Sequence, residues 1–144
     1  MAGEPSRADP GVRPGRRARR ASVAAVTAES DVLITMLPDS PDVEEVVLGE
    51  QGVLVHARPG LLLIDMSTIR PQSAMVIAEA ASAVGVRTLD APVSGGEAGA
   101  INATLTPMVG GAAEDFAAAL PVLGAMGKIV AHVGGSSGAA GQGR

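Results

Sequence analysis

Cysteine, tryptophan and tyrosine are all absent from this 144-residue chain, and Phe116 is its single phenylalanine. Without thiols there is no disulfide, no thiolate metal site and no cysteine nucleophile. With one such ring in the chain, aromatic stacking on bases is excluded as a main mode of nucleic-acid binding. His56 and His132 are too few for a histidine-rich metal site, and lysine occurs once, at Lys128. No apolar run reaches the ~18–20 residues that cross a bilayer. Residues 1–20 lack the apolar stretch of a secretory signal. The composition predicts a cytoplasmic protein with no nucleic-acid and no membrane partner.

What is present is small and apolar. Hydrophobic residues make up 47 % of the chain, nearly all of them Ala, Val, Leu and Ile, a composition that packs helices closely on a sheet. The length fits one domain. The net charge of −4 hides an asymmetry. Residues 1–20 carry six arginines against Glu4 and Asp9, a net +4, whereas residues 21–144 carry five cations against thirteen acids, a net −8. Residues 1–20 are rich in Pro, Gly and Arg without periodicity and read as a disordered basic tail. A nucleic-acid or membrane-binding arm, a targeting segment, and a stretch foreign to the domain are the other readings. Residues 21–144 read as the domain.

From Ser22 the pattern is regular. Ser22 caps a helix to Ala28. Asp31–Leu37 is a short apolar run of β-formers, expected as a strand buried on both faces. Ser40-Pro41-Asp42 is a helix start with Ser40 as the cap, and Gly49 is its stop. The cycle repeats with a strand over 60–65 and a helix from Pro71. That helix is expected to bury Val76, Ile77, Ala80, Ala81 and Val84, with Gly85 closing it. Strands over 86–90 and 104–109 follow. A helix over 112–126 is expected to bury Phe116, Leu120 and Leu123, with a kink or break at Pro121. A strand over 129–133 and a glycine-rich loop over 134–143 end the chain. Lys128 reads as a structural cation near a helix C-terminus. Alternating strands and helices predict an α/β fold with a mostly parallel sheet.

Ligands of open α/β sheets bind past the carboxyl ends of the strands. Leu37-Pro38, Met66-Ser67-Thr68 and Pro92–Gly96 are the turns found there. Pro92 fixes the chain as it leaves its strand. Gly95 and Gly96 free backbone N–H groups to face an anion, and Ser94 adds a hydroxyl, a set that suits a carboxylate. The same residues also make an ordinary tight turn. Thr68 is equally a helix N-cap, and Asp65 is either a catalytic acid or the cap of the turn after its strand. G-x-G-x-x-G does not occur.

Taken together, Asp31–Pro38 (DVLITMLP), Asp65–Thr68 (DMST), Asp90–Gly96 (DAPVSGG) and Leu105–Gly111 (LTPMVGG) resemble, in order and spacing, the β-hydroxyacid dehydrogenase family. That family includes 3-hydroxyisobutyrate dehydrogenase and 2-hydroxy-3-oxopropionate reductase, and Ser94–Ile101 leans to the reductase branch. The resemblance covers residues 21–142. It implies an incomplete Rossmann-like, doubly wound domain binding NAD or NADP, and hydride transfer to or from a short β-hydroxyacid or its semialdehyde. It implies that Leu37 and Pro38 line the nicotinamide cofactor, that Asp42 and Thr68 contact it, and that Ser94, Gly95 and Gly96 hold the substrate carboxylate. The family's glycine-rich pyrophosphate loop has no counterpart here. Its catalytic lysine falls one residue beyond Arg144, and arginine is a poor substitute because it does not release its proton. The expectation is therefore a fragment that is inactive alone, or a non-catalytic vestigial or partner-subunit domain. The Asp31–Leu37 strand, expected beside an absent first strand, predicts self-association.

Overall fold

Three short parallel strands set the frame, the first two each leading into a helix and the third into a further short strand. A computed structural model describes residues 22–94, 96–127 and 130–135. The strands are β1 (Val32–Thr35), β2 (Leu62–Asp65), β3 (Arg87–Asp90), β4 (Val93–Ser94), β5 (Thr106–Gly110) and β6 (Ala131–Gly134). The helices are α1 (Val23–Ala28), α2 (Ser40–Leu48), α3 (Val53–His56), α4 (Pro71–Ala83), α5 (Gly96–Asn102) and α6 (Ala113–Met126). The sheet order is β1-β2-β3-β5-β4, with β6 beside β5. β1, β2 and β3 are parallel, β5 runs antiparallel to β3 and β4, and β6 is parallel to β5. This is the mostly parallel α/β sheet that the alternating pattern predicts.

Alternation within β2 explains the two-sided core. Leu61 and Leu63 point to one face, under α2, α3 and α4 with Val43, Val47 and Ile77. Leu62 and Ile64 point to the other, under α6 with Leu89, Ala119 and Leu123. With β1 on one side and β3 on the other, all four residues of β2 are buried.

β1 departs from the expectation of burial on both faces. Leu33 and Thr35 are buried, but Ile34 is 37 % and Met36 55 % exposed. The reason is position: among the described residues β1 pairs only with β2, and α6 packs on β3, on the far side of β2.

The helix starts and faces need similar corrections. Asp39, not Ser40, is the N-cap of α2, its carboxylate accepting the Ser40 N–H at 2.7 Å. In α4 the buried residues are Ser73, Ala74, Ile77 and Ala81, while Val76 and Val84 are exposed. Ser73 turns inward because its hydroxyl donates to Glu44 Oε2 at 2.6 Å. In α6 the buried stripe is Asp115, Ala119 and Leu123, and Leu120 faces out. Asp115 takes the inner position through its ion pair with Arg87 at 3.2 Å. α6 continues through Pro121 without a break. A proline here leaves the Ala117 carbonyl without its helical donor, and Ala117 and Pro121 both lie on the exposed side of the helix.

Ser22 caps α1 as expected, its hydroxyl accepting the Ala25 N–H at 3.1 Å. Gly49 ends α2, and Gly85, at φ +78, follows α4. α3, β4 and α5 have no counterpart in the sequence reading. Residues 1–21, Lys128, Ile129 and the loop from residue 136 lie outside the described residues. No helix among the described residues is long and apolar enough to cross a membrane.

Candidate functional site: the carboxyl edge of the parallel strands

The register of the parallel strands aligns their last residues. Thr35 pairs with Asp65 and Asp65 with Asp90, so the three strands end in one row. Whatever follows them emerges along a single sheet edge. Leu37-Pro38 follows β1, Ser67-Thr68 follows β2, and Pro92–Ser94 follows β3. The segment 87–94 is a nearly continuous line, interrupted at Ala91-Pro92. It runs on past the row as β4, where Ser94 pairs with Thr106. Ser94 therefore lies on the same edge as Pro38 and Thr68, as the strand-end argument predicts.

The exposure of these residues suits contact with a ligand. Pro38, Asp42, Thr68 and Ser94 are exposed and Leu37 is half-buried. Gly96 is exposed at φ +62, in the left-handed region, with open space where a side chain would stand. Backbone conformation, not crowding, selects glycine there. Gly95 lies outside the described residues. Asp42 is in the first turn of α2, set back from the strand ends themselves. Thr68 does not cap α4, whose N-cap is Arg70.

Two side-chain clasps hold the post-β1 turn to the post-β2 turn. Ser67 Oγ accepts the Leu37 N–H at 2.7 Å. Ser40 Oγ accepts the Arg70 N–H at 3.0 Å. Behind the first clasp lies Asp65, which is 5 % exposed. Its Oδ1 accepts from the Thr35 hydroxyl at 2.8 Å and from the Ser67 N–H at 3.2 Å. The second of these bonds is the turn-capping geometry weighed for Asp65 from sequence. Its Oδ2 has no partner. Ser67, Thr35 and Ser40 are functional candidates that the sequence reading did not single out. The Asp-x-Ser spacing at 65–67 was the signal that could have found Ser67.

Burial pushes the Asp65 carboxyl above the usual carboxylate range, against the Ser67 hydroxyl, the Thr35 hydroxyl and the Ser67 N–H, which pull it down. Between the ordinary and the raised value, the folded chain holds a proton that the unfolded chain has released. The stability from this group is thus fully present below the ordinary Asp value and lost as pH rises through the raised one. Asp65→Asn removes the titration. Urea unfolding of both chains across pH is expected to favour the wild type more strongly at acidic pH than at pH 7.5. A difference that is flat, or that grows with pH, would contradict the assignment.

Beside β1 runs a groove of about 520 Å³, walled by α1 (Val23, Val26, Thr27) and by Leu33, Ile34 and Leu37. Its size is that of a small-molecule site, for which about 300–1,000 Å³ is usual. Thr27 Oγ1, on its wall, is buried and has no partner. The groove meets the strand-end edge at Leu37.

Residues 5–134 match the family described as the NAD binding domain of 6-phosphogluconate dehydrogenase. The chain is 50 % identical over 105 residues to 3-hydroxyisobutyrate dehydrogenase of Pseudomonas aeruginosa, covering 73 % of this chain and 35 % of that protein. It is 42 % identical over 111 residues to 2-hydroxy-3-oxopropionate reductase of Escherichia coli, covering 77 % and 38 %. Among solved structures, a 3-hydroxyisobutyrate dehydrogenase of Mycobacterium tuberculosis with L-serine superimposes with a TM-score of 0.78 at 41 % identity, covering 85 % and 42 %. The chain thus spans about two fifths of the length of the relatives it matches. The resemblance carried by the four motifs and the Rossmann-like fold are both borne out.

Proposed function

The chain belongs to the family of the NAD binding domain of 6-phosphogluconate dehydrogenase, and on that premise we propose that it is the cofactor- and substrate-positioning part of an NAD(P)-dependent β-hydroxyacid dehydrogenase. The observation that carries the reading is the single row of strand ends, which puts Leu37-Pro38, Thr68 and Ser94 on one edge of the sheet. Bound there, NAD or NADP supplies the hydride acceptor or donor. The protein's share is to bind and orient.

The residues present fit the nicotinamide end of such a cofactor. The half-buried Leu37 and exposed Pro38 offer backbone and apolar surface at the mouth of the groove. Thr68 offers an exposed hydroxyl one strand away, and the unpartnered Thr27 Oγ1 leaves a polar atom on the groove wall. Asp42 stands at the start of α2, near the same turn. No glycine-rich pyrophosphate turn occurs among the described residues, and the contacts named here are those of the nicotinamide half. Ser94, Gly95 and Gly96 take the carboxylate of a short β-hydroxyacid or semialdehyde, with Ser94 donating its hydroxyl.

Titration of ¹⁵N-labelled chain with NAD+ and with NADP+ tests the cofactor half. The expected result is amide shifts at Leu37, Met66 and Thr68, with affinity near the millimolar range, roughly −4 kcal/mol. Shifts confined to the opposite edge of the sheet, or none at 10-fold higher cofactor, would overturn the reading.

A further inference from the structure

We propose that Asp65 is a positioning residue which, acting through Ser67, fixes the Leu37–Pro38 turn at the edge of the sheet. The proposal rests on the reading of that turn as the nicotinamide contact, and it assigns the turn's geometry to a buried group that touches no ligand.

The argument begins where the β1–β2 ladder stops. Its last bond runs from the Met66 N–H to the Thr35 carbonyl at 2.8 Å. The Leu37 N–H is the next donor along β1, and it finds a side chain, Ser67 Oγ, instead of a strand. The direction in which the chain leaves β1 is therefore set by where that hydroxyl sits. A serine hydroxyl rotates freely about χ1 unless something holds it. Asp65 holds the residue that carries it, its Oδ1 accepting the Ser67 N–H at 3.2 Å, and so fixes the backbone from which the hydroxyl projects. Its own rotamer is held by the Thr35 hydroxyl. Thr35, Asp65 and Ser67 are all buried, so water does not compete for these bonds. The relay runs Thr35 to Asp65 to Ser67 to Leu37, from the row of strand ends to the first exposed turn.

The energetics separate this from ordinary strand capping. Burying a carboxylate is costly unless it is fully paired, and Asp65 Oδ2 has no partner. Beside it is a void of about 10 Å³ bordered by Leu63, Ile69, Ala74, Ile77 and Leu89 together with Thr88 and Asp90. An apolar side chain would fill that void at less cost, and replacing buried charge by apolar volume is often neutral or stabilising. Capping alone does not need a second, unpartnered oxygen buried there. A group that must hold the Thr35 hydroxyl and the Ser67 N–H together does need a strong acceptor.

The test compares Asp65→Leu, a larger apolar side chain that removes every acceptor, with the isosteric Asp65→Asn, which keeps the Oδ1 acceptor. Amide exchange of Leu37 is read by NMR in the free chain, with Leu63 and Ile64 as core references. Asp65→Leu is expected to speed Leu37 exchange at least tenfold with the core references unchanged. Asp65→Asn is expected to restore most of the protection. The slope of the NAD+-induced shift at Thr68 should fall at least threefold in Asp65→Leu and recover in Asp65→Asn. If Asp65→Leu fails to fold, Ser67→Ala, which cuts the relay at its outer link, is expected to speed Leu37 exchange to the same degree, with Asp65→Asn between it and the wild type. Leu37 exchange equal to wild type in Asp65→Leu, or in Ser67→Ala, overturns the proposal. So does faster exchange with an unchanged NAD+ response. Absence of any NAD+ response in the wild type would strike the dinucleotide reading instead, with the exchange data still deciding the relay.

Discussion

A polypeptide of these 144 residues is expected to show no turnover of NAD(P)H with tartronate semialdehyde above a no-protein control. The residues on the strand-end edge are hydroxyls, glycines and backbone: they bind and orient, and none of Leu37, Pro38, Thr68, Ser94 or Gly96 exchanges a proton near neutral pH. Asp65 titrates, but it is buried behind the Leu37 clasp and faces no open site. A positioned acid–base group contributes typically about 10²–10⁴-fold, and no G-x-G-x-x-G turn to hold a pyrophosphate occurs in the sequence. Turnover by the purified chain, saturable in both substrate and cofactor, would show that a proton-transferring residue has been overlooked.

Self-association is the second large effect expected. β1 has one pairing partner among the described residues, and its outward residues Ile34 and Met36 are exposed. An apolar strand with unpaired main-chain groups is a template for strand addition. Next to it the groove against α1 exposes Val23 and Val26, so a second chain could add apolar contact to the ladder. Opposing this is a body of net charge −8 over residues 21–144. That repulsion is screened beyond about 8–10 Å at ordinary salt, while strand addition acts at contact, so addition wins. Light scattering after size exclusion is expected to report dimers or larger species. Ile34→Lys, which places a charge on the outward face of the edge, is expected to return the chain to a monomer. A wild-type monomer with a cooperative melt above roughly 60 °C, the upper part of the usual range for such domains, would contradict the argument.

The frame of the fold was legible because the sequence punctuates it. The apolar runs at 31–37 and 60–65 are punctuated by Pro38, Gly49 and Gly85, which fall between elements in the structure, and by Pro71, which opens α4. What local pattern could not show was burial secured from a distance. Ser73 turns inward for Glu44 and Asp115 for Arg87, partners 29 and 28 residues away. Counting apolar residues on a helical wheel therefore assigned Val76 and Leu120 to faces they do not occupy. α3 was missed because Val53–His56 is rich in β-formers and only one turn long. α5 was missed because Gly95 and Gly96 read as a turn. In α5, Gly99 packs where a side chain would meet Leu105 at 3.1 Å.

The site was legible in outline and not in its support. The strand-end turns were found because an open α/β sheet offers ligands only one kind of edge. Ser94 and Thr68 do share it. The two clasps were invisible because they join residues 30 apart, Leu37 to Ser67 and Ser40 to Arg70. Ser40 had looked like a helix cap. It instead receives a main-chain N–H from the next unit, and Asp39 caps the helix in its place.

The most direct measurement exchanges this chain's matching segment into a relative that is already a dehydrogenase. The 105 residues that are 50 % identical to Pseudomonas aeruginosa 3-hydroxyisobutyrate dehydrogenase would replace their counterparts there, and NAD+ reduction by 3-hydroxyisobutyrate would be followed at 340 nm. The account predicts a folded hybrid with kcat/KM within about tenfold of the parent, a difference near 1.4 kcal/mol in transition-state stabilisation, and loss of most of that activity on Ser94→Ala. A hybrid that folds and keeps the parent's oligomeric state, yet neither binds NAD+ nor turns over, would contradict the claim that this edge of the sheet positions cofactor and hydroxyacid.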